Sequence, residues 1–148
     1  MAVTAIALAV FILLIVLHNK RKAKDRAIAG HMIMPEELHS LLDAKSKVQL
    51  FDLRLPLDFL VDAELIPGAE RITPREVIAN PSLIPKNEDT VVYCTCPGEK
   101  TSRKILRRFL AMGYSRVRLL QGGLAAWKAK GYPVELYQHS FHLDTAAS

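Results

Sequence analysis

The chain has 148 residues, 50% of them hydrophobic and 24% charged, a composition that excludes collagen-like, low-complexity and disordered proteins. Two cysteines are too few for a disulfide framework, so their role is chemistry or packing. Of the 20 basic and 15 acidic residues, Lys20–Arg26 holds five basic and one acidic residue, and the rest of the chain is nearly neutral. A nucleic-acid-binding domain is therefore not expected.

An uncharged apolar run opens the chain. It extends from Ala2 to Leu17, with Thr4 as its polar side chain. At 1.5 Å per residue it reaches roughly 24 Å, somewhat short of a hydrocarbon core of about 30 Å. Lys and Arg follow the run directly, which predicts a single-pass anchor in the cell membrane with the following domain facing the cytoplasm. A cleaved signal peptide is the alternative, because Ala27–Ala29 resembles a small-residue cleavage site. A signal peptide, however, carries its positive charges before the apolar run, whereas here they follow it.

These features predict four segments. They are a transmembrane anchor at residues 1–18, with membrane contact through residues 2–17, a basic juxtamembrane linker at 19–31, a globular domain at 32–137 and a C-terminal tail at 138–148.

Helix and strand patterns alternate through the domain. Apolar spacing and helix start and stop signals predict helices at 35–42, 100–112 and 124–130, and a short helix that begins with the capping box Thr73–Glu76. Apolar, β-branched runs predict strands at 48–53, 91–95 and 117–120. Strands that alternate with helices predict an α/β fold with a parallel sheet covered on both faces.

The segment Tyr93–Arg103 carries the chemistry of the chain. It predicts a strand, a short Pro/Gly loop that begins at Cys96, and a helix. Ligands of parallel sheets bind at the carboxyl ends of strands, and the N-terminus of the following helix stabilises a thiolate or a bound anion. Seven basic residues and no acidic one lie between Lys100 and Arg118, which favours the thiolate further.

A series of segments resembles the rhodanese (sulfurtransferase) domain family over about residues 33–137. The segments are Leu50–Arg54, Leu65–Ala69, the cysteine loop, Gly113–Tyr114, Leu119–Trp127 and Gly131–Val134. The resemblance implies a central parallel sheet flanked by helices, and a loop whose cysteine carries a persulfide without a cofactor or a metal. It also implies structural roles for Asp52 and Arg54, and Trp127 is expected to pack in the core.

Aligning the family's pattern on Gly113-Tyr114 and counting back without a gap reaches Cys96. The resemblance therefore implies that Cys96 is the catalytic cysteine. The substrate-binding residues it implies are Pro97, Gly98, Glu99, Lys100, Thr101 and Ser102. Cys94 is the alternative nucleophile, but choosing it requires two inserted residues relative to the family's pattern. We expect Cys94 to be a small buried hydrophobic residue. A Cys94–Cys96 disulfide would close a strained ring and is disfavoured.

The resemblance implies an enzyme that transfers sulfane sulfur from a small-molecule or protein donor to a thiophilic acceptor. Pro97 removes one N–H from the loop and Glu99 adds a negative charge, and both weaken the case for thiosulfate as the donor. A non-catalytic binding or redox-sensing module is the second hypothesis. A phosphatase or arsenate reductase ranks last, because position 101 is Thr where those loops end in Arg.

Overall fold

The computed structural model describes residues 2–95 and 100–138, with the backbone alone at residues 2–5, 24 and 100. The chain divides into two units, residues 1–31 and 32–148. The tail from residue 139 onward, for which we expect no regular structure, lies outside the described residues.

One long helix, α1 (Ala2–Ala29), makes up most of the described part of the first unit, and a turn at residues 30–31 follows it. It continues through residues 20–29, where the sequence predicts a linker, because Lys, Arg and Ala favour helix. Within the described part of the chain, no helix has the length and apolar character needed to cross a membrane. The predicted transmembrane anchor is therefore not supported. The uncharged run ends at Leu17, and Lys20, Arg21 and Lys22 follow it in the same helix.

Helices and strands alternate in the second unit. The helices are α2 (Pro35–Asp43), α3 (Pro56–Val61), α4 (Pro74–Ala79), a 3₁₀ turn (Pro81–Leu83), α5 (Lys100–Ala111) and α6 (Gly123–Ala129). The strands are β1 (Met32–Ile33), β2 (Gln49–Asp52), β3 (Glu64–Leu65), β4 (Ala69–Arg71), β5 (Thr90–Tyr93), β6 (Val117–Leu120) and β7 (Glu135–Leu136).

A parallel sheet with the strand order β1-β6-β5-β2-β4 forms the centre of this unit. Asp52 of β2 lies in register with Tyr93 of β5 on one side and with Arg71 of β4 on the other. The carboxyl ends of these three strands therefore form one row at the same edge of the sheet. The predicted α/β fold with a parallel sheet and flanking helices is confirmed. The separate antiparallel pair of β3 and β7 was not predicted, because two-residue strands carry no periodic pattern.

The helices bury the apolar side chains of the sheet. Trp127 of α6, which we expect in the core, is fully buried, and its indole N–H donates to the carbonyl oxygen of Pro133 at 2.8 Å. The cluster around it comprises Ile33, Leu38, Leu50, Ile66, Val91, Tyr93, Leu120 and Leu124. This core fixes α6 and the carboxyl ends of β5 and β6 relative to one another.

The predicted capping box at the start of α4 is confirmed. The Thr73 hydroxyl accepts a hydrogen bond from the Glu76 N–H at 3.2 Å, and the Glu76 carboxylate accepts one from the Thr73 N–H at 2.7 Å. Hydrogen bonds from Thr73 hold the pKa of Glu76 below its usual value. The box therefore fixes the chain directly after Arg71 and β4.

Candidate functional site

The candidate site begins where β5 ends. All four residues of β5 are buried, and the side chain of Cys94 that follows is also buried, at 1% exposure. The predicted nucleophile Cys96 and the predicted binding residues Pro97, Gly98 and Glu99 lie outside the described residues. Helix α5 begins at Lys100, so the described chain enters this segment as a strand and leaves it as a helix. Cys94 lies as expected of a small buried hydrophobe.

The glycine pair at the start of α6 packs against the backbone of Cys94. Gly122 and Gly123 have φ angles of 75° and 56°, in the left-handed region that favours glycine. The N–H of Leu124 donates to the carbonyl oxygen of Cys94 at 3.3 Å. A Cβ atom on Gly123 would lie 1.9 Å from that oxygen. Two adjacent glycines directly before the predicted helix 124–130 predict a turn. The structure adds the reason for glycine: only glycine lets α6 approach the strand end this closely.

We expect Gly123→Ala to destabilise the protein and to displace the strand end that leads into the cysteine loop. The added methyl group cannot fit beside the Cys94 carbonyl, and overpacking of this kind costs roughly 1–3 kcal/mol before backbone strain is counted. Urea denaturation measures the loss of stability, and the rate of iodoacetamide alkylation measures the change at the cysteines.

The matched control for this variant is Gly131→Ala. Gly131 has a φ angle of 71°, and a Cβ atom there would meet nothing within 4 Å. It therefore adds the same backbone strain without the collision. Equal losses of stability in the two variants would show that the contact with Cys94 is unimportant.

A buried ion pair lies beside this strand end. Asp52 and Arg54 are both fully buried, and the Arg54 Nε donates to the two Asp52 carboxylate oxygens at 3.0 and 2.7 Å. The guanidinium also donates to the carbonyl oxygens of Asp62 and Glu64, each at 2.6 Å. The pair thus ties the end of β2 to the segment that leads into β3, consistent with the structural role implied for these two residues.

Tyr93, the last residue of β5, connects the same region to the Ile66 turn. Its hydroxyl accepts a hydrogen bond from the Ile66 N–H at 3.2 Å. Burial, reinforced by the Asp52 charge, raises the pKa of Tyr93 far above its ordinary value, so the phenol stays protonated. The sequence predicts Tyr93 in a strand but does not predict this hydrogen bond, because its partner is 27 positions away. Tyr93 therefore holds the strand end directly before the two cysteines.

The first turn of α5 contains an unusual buried hydroxyl. Ser102 is fully buried, and its Oγ has no hydrogen-bond partner among the described residues. An unsatisfied buried hydroxyl costs about 1–3 kcal/mol, so such groups in native proteins call for an explanation. Thr101 beside it is half-buried, and the side chain of Lys100 is not described. Among the predicted binding residues, only the side chains of Thr101 and Ser102 are described, and the unsatisfied polar atom belongs to Ser102.

Two residues of the predicted basic cluster form ion pairs with acidic residues outside the cluster. Arg116 binds Asp89 at 3.0 Å, and Arg118 binds Glu37 at 2.9 Å. Arg116 precedes β6 and therefore lies at the amino end of the sheet, opposite the carboxyl end of β5. Within residues 2–95 and 100–138, no group of three or more His, Cys, Asp or Glu side chains could hold a metal ion.

Comparisons with known proteins agree with this architecture. The chain matches the rhodanese-like domain family over residues 34–130. It is 31% identical over 99 residues to a protein of Allochromatium vinosum named "Sulfurtransferase", an alignment that covers 67% of this chain and 89% of that protein. It is 32% identical over 110 residues to the "Probable adenylyltransferase/sulfurtransferase MoeZ" of Mycobacterium tuberculosis, covering 73% of this chain but only 27% of MoeZ.

A solved structure shows the same fold. The rhodanese-like domain protein of Staphylococcus aureus is 25% identical and superposes with a TM-score of 0.60, over 72% of this chain and 98% of that one. The family match over residues 34–130 and the 31% identity to the Allochromatium vinosum protein show that this chain belongs to the rhodanese-like domain family.

Proposed function

We propose that the protein is a sulfurtransferase that moves sulfane sulfur through a persulfide on Cys96 to a thiophilic acceptor. The observation that carries the proposal is the passage from buried strand β5 to helix α5, whose first turn contains a buried, unsatisfied hydroxyl at Ser102. The relative named "Sulfurtransferase" and the family match support it.

Cys96 is the nucleophile we favour over Cys94. A six-residue loop that starts at Cys96 ends at Thr101 and so joins the first turn of α5, which begins at Lys100. The Cys94 side chain is 1% exposed, which leaves a donor molecule little room to reach its sulfur. A nucleophile has to be accessible as well as activated.

The reaction we propose is a double displacement. The Cys96 thiolate attacks the outer sulfur of a persulfide donor, a new S–S bond forms, and the donor thiolate leaves with the electron pair of the broken bond. The terminal sulfur of the Cys96 persulfide then passes to the acceptor nucleophile, and the Cys96 thiolate is regenerated. The N–H groups at the start of α5 and the Ser102 hydroxyl are available to stabilise the sulfur anions.

Persulfides fit this loop better than thiosulfate does. Thiosulfate is a dianion and needs a loop rich in N–H donors, whereas Pro97 has no N–H and Glu99 is negatively charged. We therefore propose that thiosulfate is the weaker donor.

Mass spectrometry of the purified full chain tests the proposal. After treatment with cysteine persulfide, the protein should gain the mass of one sulfur atom on Cys96 and lose it again when cyanide is added as the acceptor. A folded protein that takes up no sulfur from either cysteine persulfide or thiosulfate would contradict the proposal and favour the non-catalytic binding or redox-sensing module.

Ser102→Ala should separate activity from stability. Removing a buried hydroxyl without a partner should leave the free energy of unfolding unchanged or raise it, since the cost of about 1–3 kcal/mol disappears. The rate of sulfur transfer should nevertheless fall, because the sulfur anion loses a hydrogen-bond donor. Urea denaturation and thiocyanate production measure the two effects. A variant that is less stable but equally active would assign Ser102 to the fold alone.

The cellular location stays a prediction from the sequence. The large apolar side chains of α1 between Ile6 and Leu17 are 42–63% exposed, and basic residues follow them. We expect the full chain to sediment with the cell membrane and a variant without residues 2–17 to stay in the supernatant. Equal partition of both proteins in cell fractionation would contradict the prediction.

A further inference from the structure

We propose that the slot between β4 and β7 binds an extended segment of a partner protein that carries lysine or arginine side chains, and that this segment adds a third strand to the β3–β7 pair. The slot is the cavity lined by Leu65, by residues 68–71 on the β4 side and by residues 135–138 on the β7 side. Its volume of about 740 Å³ falls within the range of ligand sites. The inference goes beyond sulfur transfer and needs no residue of the cysteine loop.

The edge of β7 that faces away from β3 offers one hydrogen-bond donor and one acceptor. The Tyr137 N–H donates to the Ala63 carbonyl oxygen at 3.0 Å, so these two residues form a hydrogen-bonded pair. Such pairs alternate with non-hydrogen-bonded ones in an antiparallel ladder, so the next pair, Leu136 and Glu64, directs its N–H and C=O groups outward. Among the described residues, no group binds the Leu136 N–H or C=O. An edge of this kind is a template for a further strand.

The slot carries negative charge. Glu70 and Glu135 line it, both are exposed, and neither has an ion-pair partner within residues 2–95 and 100–138. The Glu135 carboxylate accepts a hydrogen bond from the Gly68 N–H at 3.0 Å, which holds it at the wall of the slot. Arg71 also lines the slot, but its guanidinium carbon packs 4.7 Å from the centroid of the Phe59 ring, and its Nε and Nη2 atoms are buried. The exposed charge of the slot is therefore that of the two glutamates.

Most other acidic side chains of this unit are neutralised within the protein. Those that form ion pairs with Lys or Arg are Glu36, Glu37, Asp52, Asp62, Glu64, Glu88 and Asp89. Charge complementarity therefore favours a basic ligand at the slot. It disfavours the surface of an anionic membrane for the same reason.

The side chains of β7 specify the pattern of the added segment. Leu136 is 67% exposed, and Glu135 before it points to the opposite face of the strand. The residue that pairs with Leu136 should therefore be apolar, and the residues on either side of it should be Lys or Arg. An extended segment that alternates basic and apolar residues satisfies the backbone edge, the Leu136 side chain and the carboxylates together.

Two probe peptides test the inference on the full chain by fluorescence anisotropy. The blocked peptide Lys-Val-Lys-Val-Lys should bind with a dissociation constant at least about tenfold lower than that of Glu-Val-Glu-Val-Glu. Added salt should reduce this preference, because it screens exposed charges. Glu70→Gln should also reduce it, whereas Asp58→Asn, which removes a carboxylate of α3 outside the slot, should preserve it.

A second pair of variants tests the backbone contact. Leu136→Pro removes the outward N–H, which an edge strand tolerates, and should weaken binding of the lysine peptide about tenfold. Leu136→Ala keeps that N–H and is the matched control, so it should weaken binding less. In NMR hydrogen exchange, the Leu136 amide should exchange rapidly in the wild type alone and slowly when the lysine peptide is bound.

Four results would overturn the inference. Equal binding of the two peptides would exclude recognition by charge, and undiminished binding of a lysine peptide with methylated backbone nitrogens would exclude strand addition. A Leu136 amide that is protected in the dilute protein without peptide would show that the chain itself occupies this edge. Protection that appears only as the protein concentration rises would assign the edge to a second copy of the chain.

Discussion

Replacing Cys96 with serine should abolish persulfide formation and sulfur transfer to cyanide, whereas Cys94→Ser should retain measurable turnover. A serine hydroxyl remains protonated near neutral pH and does not attack sulfane sulfur, so the covalent step has no nucleophile in the Cys96 variant. Mass spectrometry of the persulfide and a thiocyanate assay give the two readouts.

The Cys94 variant should lose stability rather than activity. The Cys94 side chain is 1% exposed, and a serine hydroxyl in its place costs about 1–3 kcal/mol unless it finds a hydrogen-bond partner. Its carbonyl oxygen, which accepts from the Leu124 N–H, is a backbone atom and is kept in the variant. Urea denaturation of Cys94→Ser and Cys96→Ser should therefore give a larger loss for the former.

Alkylation supplies an independent control of this assignment. At mildly acidic pH, iodoacetamide should modify Cys96 before Cys94, because a thiolate at a helix N-terminus reacts while a buried thiol does not. An inactive Cys94→Ser together with an active Cys96→Ser would move the nucleophile to Cys94. Two folded but inactive variants would instead mean that the two thiols act together.

The elements that the sequence predicts well are those with a strong local signal. Strand β6 occupies Val117–Leu120 as predicted, and α5 begins at Lys100 because a Pro/Gly loop precedes a long amphipathic run. Helix α3 was missed, since Leu57, Leu60 and Val61 are exposed apolar residues that give no amphipathic pattern. The pairing of β3 with β7 depends on residues about 70 positions apart, which no local pattern records.

The candidate site also combines features that the sequence predicts with features that depend on how distant segments pack. The glycine turn before α6 was predictable from two adjacent glycines, but its contact with Cys94 is set by how α6 packs on the sheet. The positions of two residues of the basic cluster could not be predicted for a similar reason. Sequence spacing groups Arg116 and Arg118 with the helix, whereas the strand direction places Arg116 at the far edge and ion pairs bind both residues. The hydrogen bond between Tyr93 and Ile66 carried no signal, because its partners are 27 positions apart.

The largest loss of stability should follow from Arg54→Met. This change leaves the Asp52 carboxylate fully buried without its cation, and it removes the donors to the carbonyl oxygens of Asp62 and Glu64. Breaking a buried pair by removing one partner typically costs about 3–5 kcal/mol, much of it from the charge left behind. Urea denaturation at neutral pH measures the loss.

A second variant separates the effect of the unpaired Asp52 charge from the effect of the lost Arg54 hydrogen bonds. Combining Asp52→Leu with Arg54→Met removes both charges, so the double variant should be more stable than Arg54→Met alone. Arg116→Met is the exposed control: its pair with Asp89 is 52% and 44% exposed, and its loss should leave the free energy of unfolding close to that of the wild type. If the double variant were instead the least stable of the three, the hydrogen bonds from Arg54 to Asp62 and Glu64, and not charge neutralisation, would hold the end of β2 in place.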